Sequence, residues 1–233
     1  MNEFNYFKNK NVVVTGGTSG LGLALAVQLN ELGSRVAVLA RNDNNIQKLI
    51  ERYSKIIGIQ GDVSKKENIY PLVGEIQSRL GDVEILFNVA SYLGQTPLRF
   101  LIDTECEDFE LALQTNLLGP FRLTKALLPS MLLKGQGVVV NISSDASINP
   151  YPKWGGYAVS KAGVDHMSRI FDEELKDQGV RFLSLDPGDM KTPMHFAAIP
   201  DANPDHLRDP ADSAHKILQL ISSKDFTQVR RAL

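Results

Sequence analysis

The chain has 233 residues, 43% hydrophobic and 22% charged, a size and balance that suit one α/β domain with a substantial core. Its formal net charge of −2 leaves no electrostatic case for nucleic acid or an anionic membrane as a partner. Cys106 is the only cysteine, which excludes a disulfide framework and a cysteine metal cluster, and no apolar run approaches membrane-spanning length.

Short apolar runs alternate with longer helical ones. Residues 11–15 (NVVVT) read as a strand, 20–32 as a helix closed by Gly33, and 35–40 (RVAVLA) as a second strand. A helix over 45–53 and a strand over 56–60 follow, ending in Gly61-Asp62. Residues 65–80 read as a helix, 83–88 (VEILFN) as the fourth strand, and 107–116 and 118–134 as two helices. Residues 137–142 (GVVVNI) form the fifth strand, 157–178 a long helix and 180–185 (VRFLSL) the sixth strand, with a short last strand expected at 227–230. Strands apolar throughout and separated by helices predict a parallel sheet covered on both faces. The fold expected is a single doubly wound, Rossmann-type three-layer α/β/α domain over 1–233. Ligands of such sheets bind at the carboxyl ends of the strands. The opening MNEFNYFKNKN lacks the apolar core of a signal peptide, so a cytoplasmic protein is expected.

The first strand runs into Thr15-Gly-Gly-Thr-Ser-Gly-Leu-Gly22. Gly16, Gly20 and Gly22 allow a tight turn and let the backbone approach a pyrophosphate at a helix N-terminus. The spacing is G-x-x-x-G-x-G, and an ordinary glycine-rich turn is the competing reading. No phosphate-loop lysine motif is present, so phosphoryl transfer is not indicated. The second strand ends in Ala40-Arg41-Asn42. An acid there would bind the adenosine ribose hydroxyls, whereas an arginine accepts a 2′-phosphate. NADP(H) is therefore favoured over NAD(H), with the alternative that Asp43 curls back to the ribose and Arg41 faces solvent.

Tyr157 precedes Lys161 by four residues in the run NISSDASINPYPKWGGYAVSK, which puts both on one helix face. An ammonium beside a phenol favours the phenolate and lowers its pKa, which suits proton transfer. The spacing alone also arises by chance in many helices.

With these residues in place, the chain from about 10 to 195 resembles the classical short-chain dehydrogenase/reductase family. TGGTSGLG matches that family's T-G-x-x-x-G-x-G loop, and Asp62-Val63 matches the pair that contacts adenine. Asn116, Ser144, Tyr157 and Lys161 match the catalytic set in order, 28 residues separating Asn116 from Ser144 and 13 separating Ser144 from Tyr157. Pro187-Gly188, with Thr192 following, matches the loop that holds the nicotinamide carboxamide. Two departures stand out. Strand four ends Asn88-Val89-Ala90-Ser91 where the family usually has Asn-Asn-Ala-Gly, and the segment 193–209 expected to cover the substrate is short.

The resemblance implies reversible hydride transfer between nicotinamide C4 and a carbonyl or alcohol carbon of a small molecule. Tyr157 would be the general acid/base, Ser144 would stabilise the oxyanion, and Lys161 would lower the Tyr157 pKa and bind the nicotinamide ribose. Asn116 would hold a relay water. The cofactor would lie on Gly16, Thr18, Ser19, Gly20, Leu21, Gly22, Arg41, Asp62, Val63, Asn88, Ala90, Tyr157, Lys161, Pro187, Gly188, Met190 and Thr192. A homodimer or homotetramer through the helices beginning at Leu118 and Tyr157 is expected by analogy. Ser143 reads as structural, Trp154 as pocket wall or packing, and Tyr92 and Leu93 as pocket edge. Asp145 and Asp189 read as polar substrate contacts or solvated groups. His195, His206 and His215 lack metal-ligand spacing, so no metal site is expected. A non-catalytic NADP(H)-binding sensor or scaffold is the competing class, and it has no need of the catalytic set. A nucleotide-sugar epimerase would need a larger C-terminal domain.

Overall fold

In the computed structural model, which describes residues 4–233, seven parallel strands form one sheet in the order β3-β2-β1-β4-β5-β6-β7. They are β1 Asn11–Thr15, β2 Arg35–Ala40, β3 Ile57–Gln60, β4 Ile85–Asn88, β5 Gly137–Ile142, β6 Val180–Asp186 and β7 Arg230–Ala232. The helices are α1 Gly20–Glu31, α2 Asp43–Arg52, α3 Ile69–Leu80, α4 Cys106–Leu113, α5 Gly119–Lys134, α6 Gly155–Leu175, α7 Pro193–Ala198 and α8 Pro210–Ser222. The chain begins mid-sheet, steps outward through β2 and β3, then returns to the other side of β1 as β4. That reversal opens a crevice between the carboxyl ends of β1 and β4, the position at which open α/β sheets take ligands.

The strands carry buried residues on both faces because helices cover both. Val12, Val14, Leu25, Leu29, Phe87 and Ile217 fill one side, with α1 and α8 packed there. Val13, Ile76, Leu86, Leu127, Val139 and Phe182 fill the other, with α3 and α5.

Four expectations need correction. The last strand is not 227–230 but Arg230–Ala232, in parallel register with Ser184 to Asp186. Asp225 Oδ1 takes the Thr227 main-chain N–H and hydroxyl, which folds that stretch into a turn and delays sheet entry. The break expected between helices at residue 117 is absent: α4 and α5 are joined by a π-helical turn, Gln114–Leu118, just ahead of Pro120. Proline lacks an N–H for the α ladder, and one wider turn absorbs the mismatch without ending the helix. The helix expected over 65–80 opens as a 3₁₀ turn, Lys66–Asn68, before α3. Helix α8 was not foreseen, although Asp209 caps it by accepting the Ala211 N–H at 2.8 Å and Pro210 follows at its first position.

Candidate active site

The crevice is a cavity of about 550 Å³ lined by loops from the carboxyl ends of β1, β2, β3, β4, β5 and β6. At one end lies the glycine turn. Gly16 has φ +68°, and a Cβ there would sit 2.9 Å from the Ala90 backbone, so β1 and β4 approach this closely only with glycine. A Cβ on Gly22 would strike the Gly16 carbonyl. Thr15 Oγ1 accepts the N–H groups of Val89 and Ala90 at 2.9 and 3.0 Å, so the strand-four departure at Val89 leaves this backbone clamp intact. Asn88, buried, donates to Asn141 Oδ1 at 2.8 Å and ties β4 to β5; it lies beneath the cavity rather than among its lining residues.

At the end of β2, Arg41 is exposed and borders the cavity. Asp43 does not turn back toward it. It opens α2, where its carboxylate accepts from Gln47 Nε2 at 3.3 Å, while Asn42 caps the helix through Asn45 N. Asp62 Oδ1 is taken by the Ser64 N–H and hydroxyl, and Asp62 and Val63 both line the cavity.

The other end holds Ser144, Trp154, Tyr157 and Lys161. Helix α6 brings Tyr157 and Lys161 to one face, and Ser144, on the loop after β5, lines the same end of the cavity with its hydroxyl donating to Asp145 Oδ1 at 3.1 Å. Lys161 does not behave as expected. Its Nζ donates to the Ile142 carbonyl at 2.7 Å and lies 5.4 Å from the Tyr157 ring centroid. Burial pushes the Tyr157 phenol up to about 12; the Ser144 hydroxyl acts downward, and Asp186, Asp145 and Asp189 act upward. The lowered phenol pKa is thus not found, because desolvation dominates and the ammonium is aimed at a carbonyl. Burial brings Lys161 itself down to about 8.

Asn116 sits in the π-helical turn at 1% exposure. Its amide donates to the Tyr92 carbonyl at 2.8 Å and Ser160 Oγ at 2.9 Å, and its oxygen accepts from Tyr92 N at 2.7 Å and Ser91 Oγ at 3.1 Å. With the side chain filled, a relay water could be held only through the main chain. Ser91, the second strand-four departure, thereby locks Asn116. Ser143 is buried and also lines the cavity. Leu93 lines the cavity, but Tyr92 turns away and donates to Asp108 at 2.6 Å.

The loop after β6 closes the same end. Gly188 N donates to Asp186 Oδ1 at 3.0 Å, and Thr192 caps α7 by accepting the His195 N–H at 3.2 Å. Pro187, Gly188, Met190, Thr192, Met194 and His195 line the cavity. Sequence reasoning missed Thr115. Its Oγ1 is the one buried side-chain polar atom among the described residues without a hydrogen-bond partner, and the residue lines the cavity. Its place beside Asn116 was the available signal. No group of three or more metal-ligating side chains occurs among the described residues.

A glycine cradle and a Ser-Tyr-Lys set that line one cavity at the strand ends of a doubly wound parallel sheet are the features of a Rossmann-type nucleotide-binding α/β protein. The short chain dehydrogenase family model matches residues 10–202, and the chain belongs to that family of oxidoreductases. A short chain dehydrogenase of Pseudocercospora fijiensis is 32% identical over 192 residues, 79% of this chain; the match spans 61% of that relative's length. The 2-(R)-hydroxypropyl-CoM dehydrogenase of Xanthobacter autotrophicus is 30% identical over 187 residues, 78% of this chain and 75% of that one. A short chain dehydrogenase of Shigella flexneri, solved in complex with NADP, superposes with a TM-score of 0.88 at 23% identity, covering 97% of this chain and 96% of that one.

Proposed function

We propose that the protein is an NADP(H)-dependent oxidoreductase that moves a hydride between nicotinamide C4 and a carbonyl or alcohol carbon, with Tyr157 as general acid/base. The observation that carries this reading is the joining of Ser144, Tyr157 and Lys161 to the glycine cradle by one cavity. The dehydrogenase name of the Xanthobacter relative supports alcohol–carbonyl chemistry. The cofactor supplies the hydride; the protein binds, orients and moves the proton.

A phenol with a pKa of about 12 holds its proton at neutral pH and can pass it to a developing alkoxide. Ser144 Oγ, which donates to Asp145 Oδ1 in the free protein, turns to donate to the same substrate oxygen. Lys161 fixes the Ile142 carbonyl and presents its charge to the ribose side of the cavity. The backbone of Gly16, Thr18, Ser19, Gly20, Leu21 and Gly22 takes the pyrophosphate at the start of α1. Arg41 takes the 2′-phosphate, while Asp43, which accepts from Gln47 Nε2 at the start of α2, does not line the cavity. Asp62 and Val63 border the adenine. Ala90 and the orphan Thr115 hydroxyl border the adenosine side. Pro187, Gly188, Met190 and Thr192 hold the carboxamide. Residues 193–209, which begin with α7, cover the substrate. Phe121 and Ile170, exposed on α5 and α6, fit the homodimer or homotetramer expected by analogy. The substrate in this reading is a small molecule, and the compartment proposed is the cytoplasm.

The test is NADPH consumption with a panel of aldehydes, ketones, quinones and pterins. Tyr157→Phe should lower turnover at least ~100-fold while NADPH affinity stays within a few-fold. Tight NADPH binding with no turnover of any panel member would instead mark a sensor.

A further inference from the structure

The geometry points to Arg230 as a positioning residue that holds the catalytic serine and the nicotinamide loop in place from the far edge of the sheet. This rests on the function proposed above. Arg230 opens β7 and runs behind the active site, its side chain 14% exposed. Nε donates to Asp165 Oδ2 at 2.9 Å. Nη2 donates to the main-chain carbonyl of Ser144 at 3.4 Å and faces Asp186 Oδ2 at 3.8 Å. One guanidinium thus touches three segments that bear the chemistry.

Two of the three contacts lead straight to proposed site groups, the Ser144 main chain and, through Asp186, the Gly188 N–H. Asp165 lies one helical turn beyond Lys161 on α6. Its Oδ1 accepts from Ser184 Oγ and its Oδ2 from Ser147 Oγ, both at 2.5 Å, so α6, β6 and the loop after Ser144 meet at this carboxylate. Asp186 uses its other oxygen to fix the Gly188 N–H. The carboxylates are 7% and 9% exposed, and Arg230 is the cation placed between them. Buried carboxylates without a counter-ion are strongly unfavourable, so this arginine decides whether both loops keep their shape. The planar fork matters as well as the charge, since a point-like ammonium cannot span Asp165 and the Ser144 carbonyl together. Next to it, Arg208 donates to the Pro187 carbonyl at 3.2 Å and to the main-chain oxygen of Leu233. The segment after β6 is therefore pinned from β7 and its flank.

Arg230 does not itself line the cavity and touches no reacting atom, so its effect has to pass through the lining residues it holds, Ser144 directly and Gly188 by way of Asp186. The test compares Arg230→Lys and Arg230→Met with wild type. NADPH affinity is read by energy transfer from Trp154, the only tryptophan and part of the cavity wall. Turnover is read as kcat and KM on a carbonyl that the wild type reduces. Arg230→Met should weaken NADPH about tenfold and lower kcat at saturation at least tenfold, since small displacements of positioned groups cost rate steeply. Arg230→Lys should restore NADPH affinity to within threefold, because the charge between Asp165 and Asp186 remains. It should keep kcat depressed, because the Ser144 carbonyl loses its donor. If both variants lower only the melting temperature, with affinity and kcat per folded molecule within twofold of wild type, the proposal is overturned. If Arg230→Met does not fold, the kcat-against-affinity split in Arg230→Lys decides alone. If wild type turns over no carbonyl, the functional reading fails. The affinity arm then still decides whether Arg230 holds the Gly188 loop.

Discussion

Lys161 carries an ammonium to a position that is 3% exposed, and burial lowers its pKa to about 8 from 10.5. Below pH 8 the folded protein bears that charge at a cost of about 3 kcal/mol. Between pH 8 and 10.5 the unfolded chain holds the proton and the folded one does not, so stability rises with pH across this window. Tyr157 acts in the opposite sense. Its folded pKa of about 12 lies above the ordinary 10, so its contribution is complete below pH 10 and is lost as pH rises from there to 12. The pair therefore predicts a stability that climbs from pH 8 to about 10 and then falls. Urea denaturation of wild type and Lys161→Met over pH 7 to 11 checks this: the variant should lack the climb and keep the fall. A wild type that shows no climb relative to the variant would mean Lys161 is not buried as a cation. Thr115 allows a second measurement at this scale. A buried hydroxyl without a partner costs about 1–3 kcal/mol, so the isosteric Thr115→Val should stabilise the free protein by about 1 kcal/mol. The same change should weaken NADPH about five- to tenfold by removing the hydroxyl from the adenosine side. A variant that gains stability and binds NADPH normally would remove Thr115 from the cofactor site.

Elements differ in how plainly the sequence announces them, and the reasons are local. The runs NVVVT, RVAVLA and GVVVNI are apolar at every step because both sheet faces are covered, so β1, β2 and β5 were legible to the residue. The pairing of Tyr157 with Lys161 was legible from the helical repeat, whereas Ser144 was picked out only by its spacing in the family resemblance; all three line one cavity. Helix α8 was passed over, yet its Asp-Pro start and the buried Ala214, Ile217, Leu218 and Ile221 carry a helical repeat. Strand β7 carries no apolar pattern: two of its three residues are arginines, one spent on Asp165 and one on Asp225. Its place in the sheet depends on partners scores of residues away, which no local rule reads. The π-helical turn was equally hidden, since a hydrogen-bond ladder widened by one residue leaves the helical periodicity almost unchanged. The pKa of Tyr157 illustrates the same limit. Spacing shows that a lysine is near, but whether it faces the phenol or the Ile142 carbonyl depends on where β5 ends.

The cavity draws its walls from six strand ends, so it exists only when the whole sheet is assembled, and a ligand in it stabilises the entire domain. A ligand that binds only the folded state at one hundred times its Kd adds about 2.7 kcal/mol. For a domain of this length each kcal/mol shifts the melting temperature by about 2–4 °C, so NADPH should raise it by about 5–11 °C. NADH lacks the 2′-phosphate that Arg41 meets in the proposed function. A charge-assisted hydrogen bond of that kind contributes about 1.5–3 kcal/mol, which is roughly 10- to 100-fold in affinity. At equal concentration NADH should therefore give a visibly smaller shift. Arg41→Glu puts an acid at the end of β2, where it can accept from ribose hydroxyls and repel a phosphate. In that variant NADH should give the larger shift, with the melting temperature of the free protein unchanged because Arg41 is exposed and makes no packing contact in either core. Thermal melts of both proteins with each dinucleotide decide the matter. Equal shifts from NADPH and NADH in the wild type would show that Arg41 faces solvent and that the 2′-phosphate is not read at this edge of the sheet.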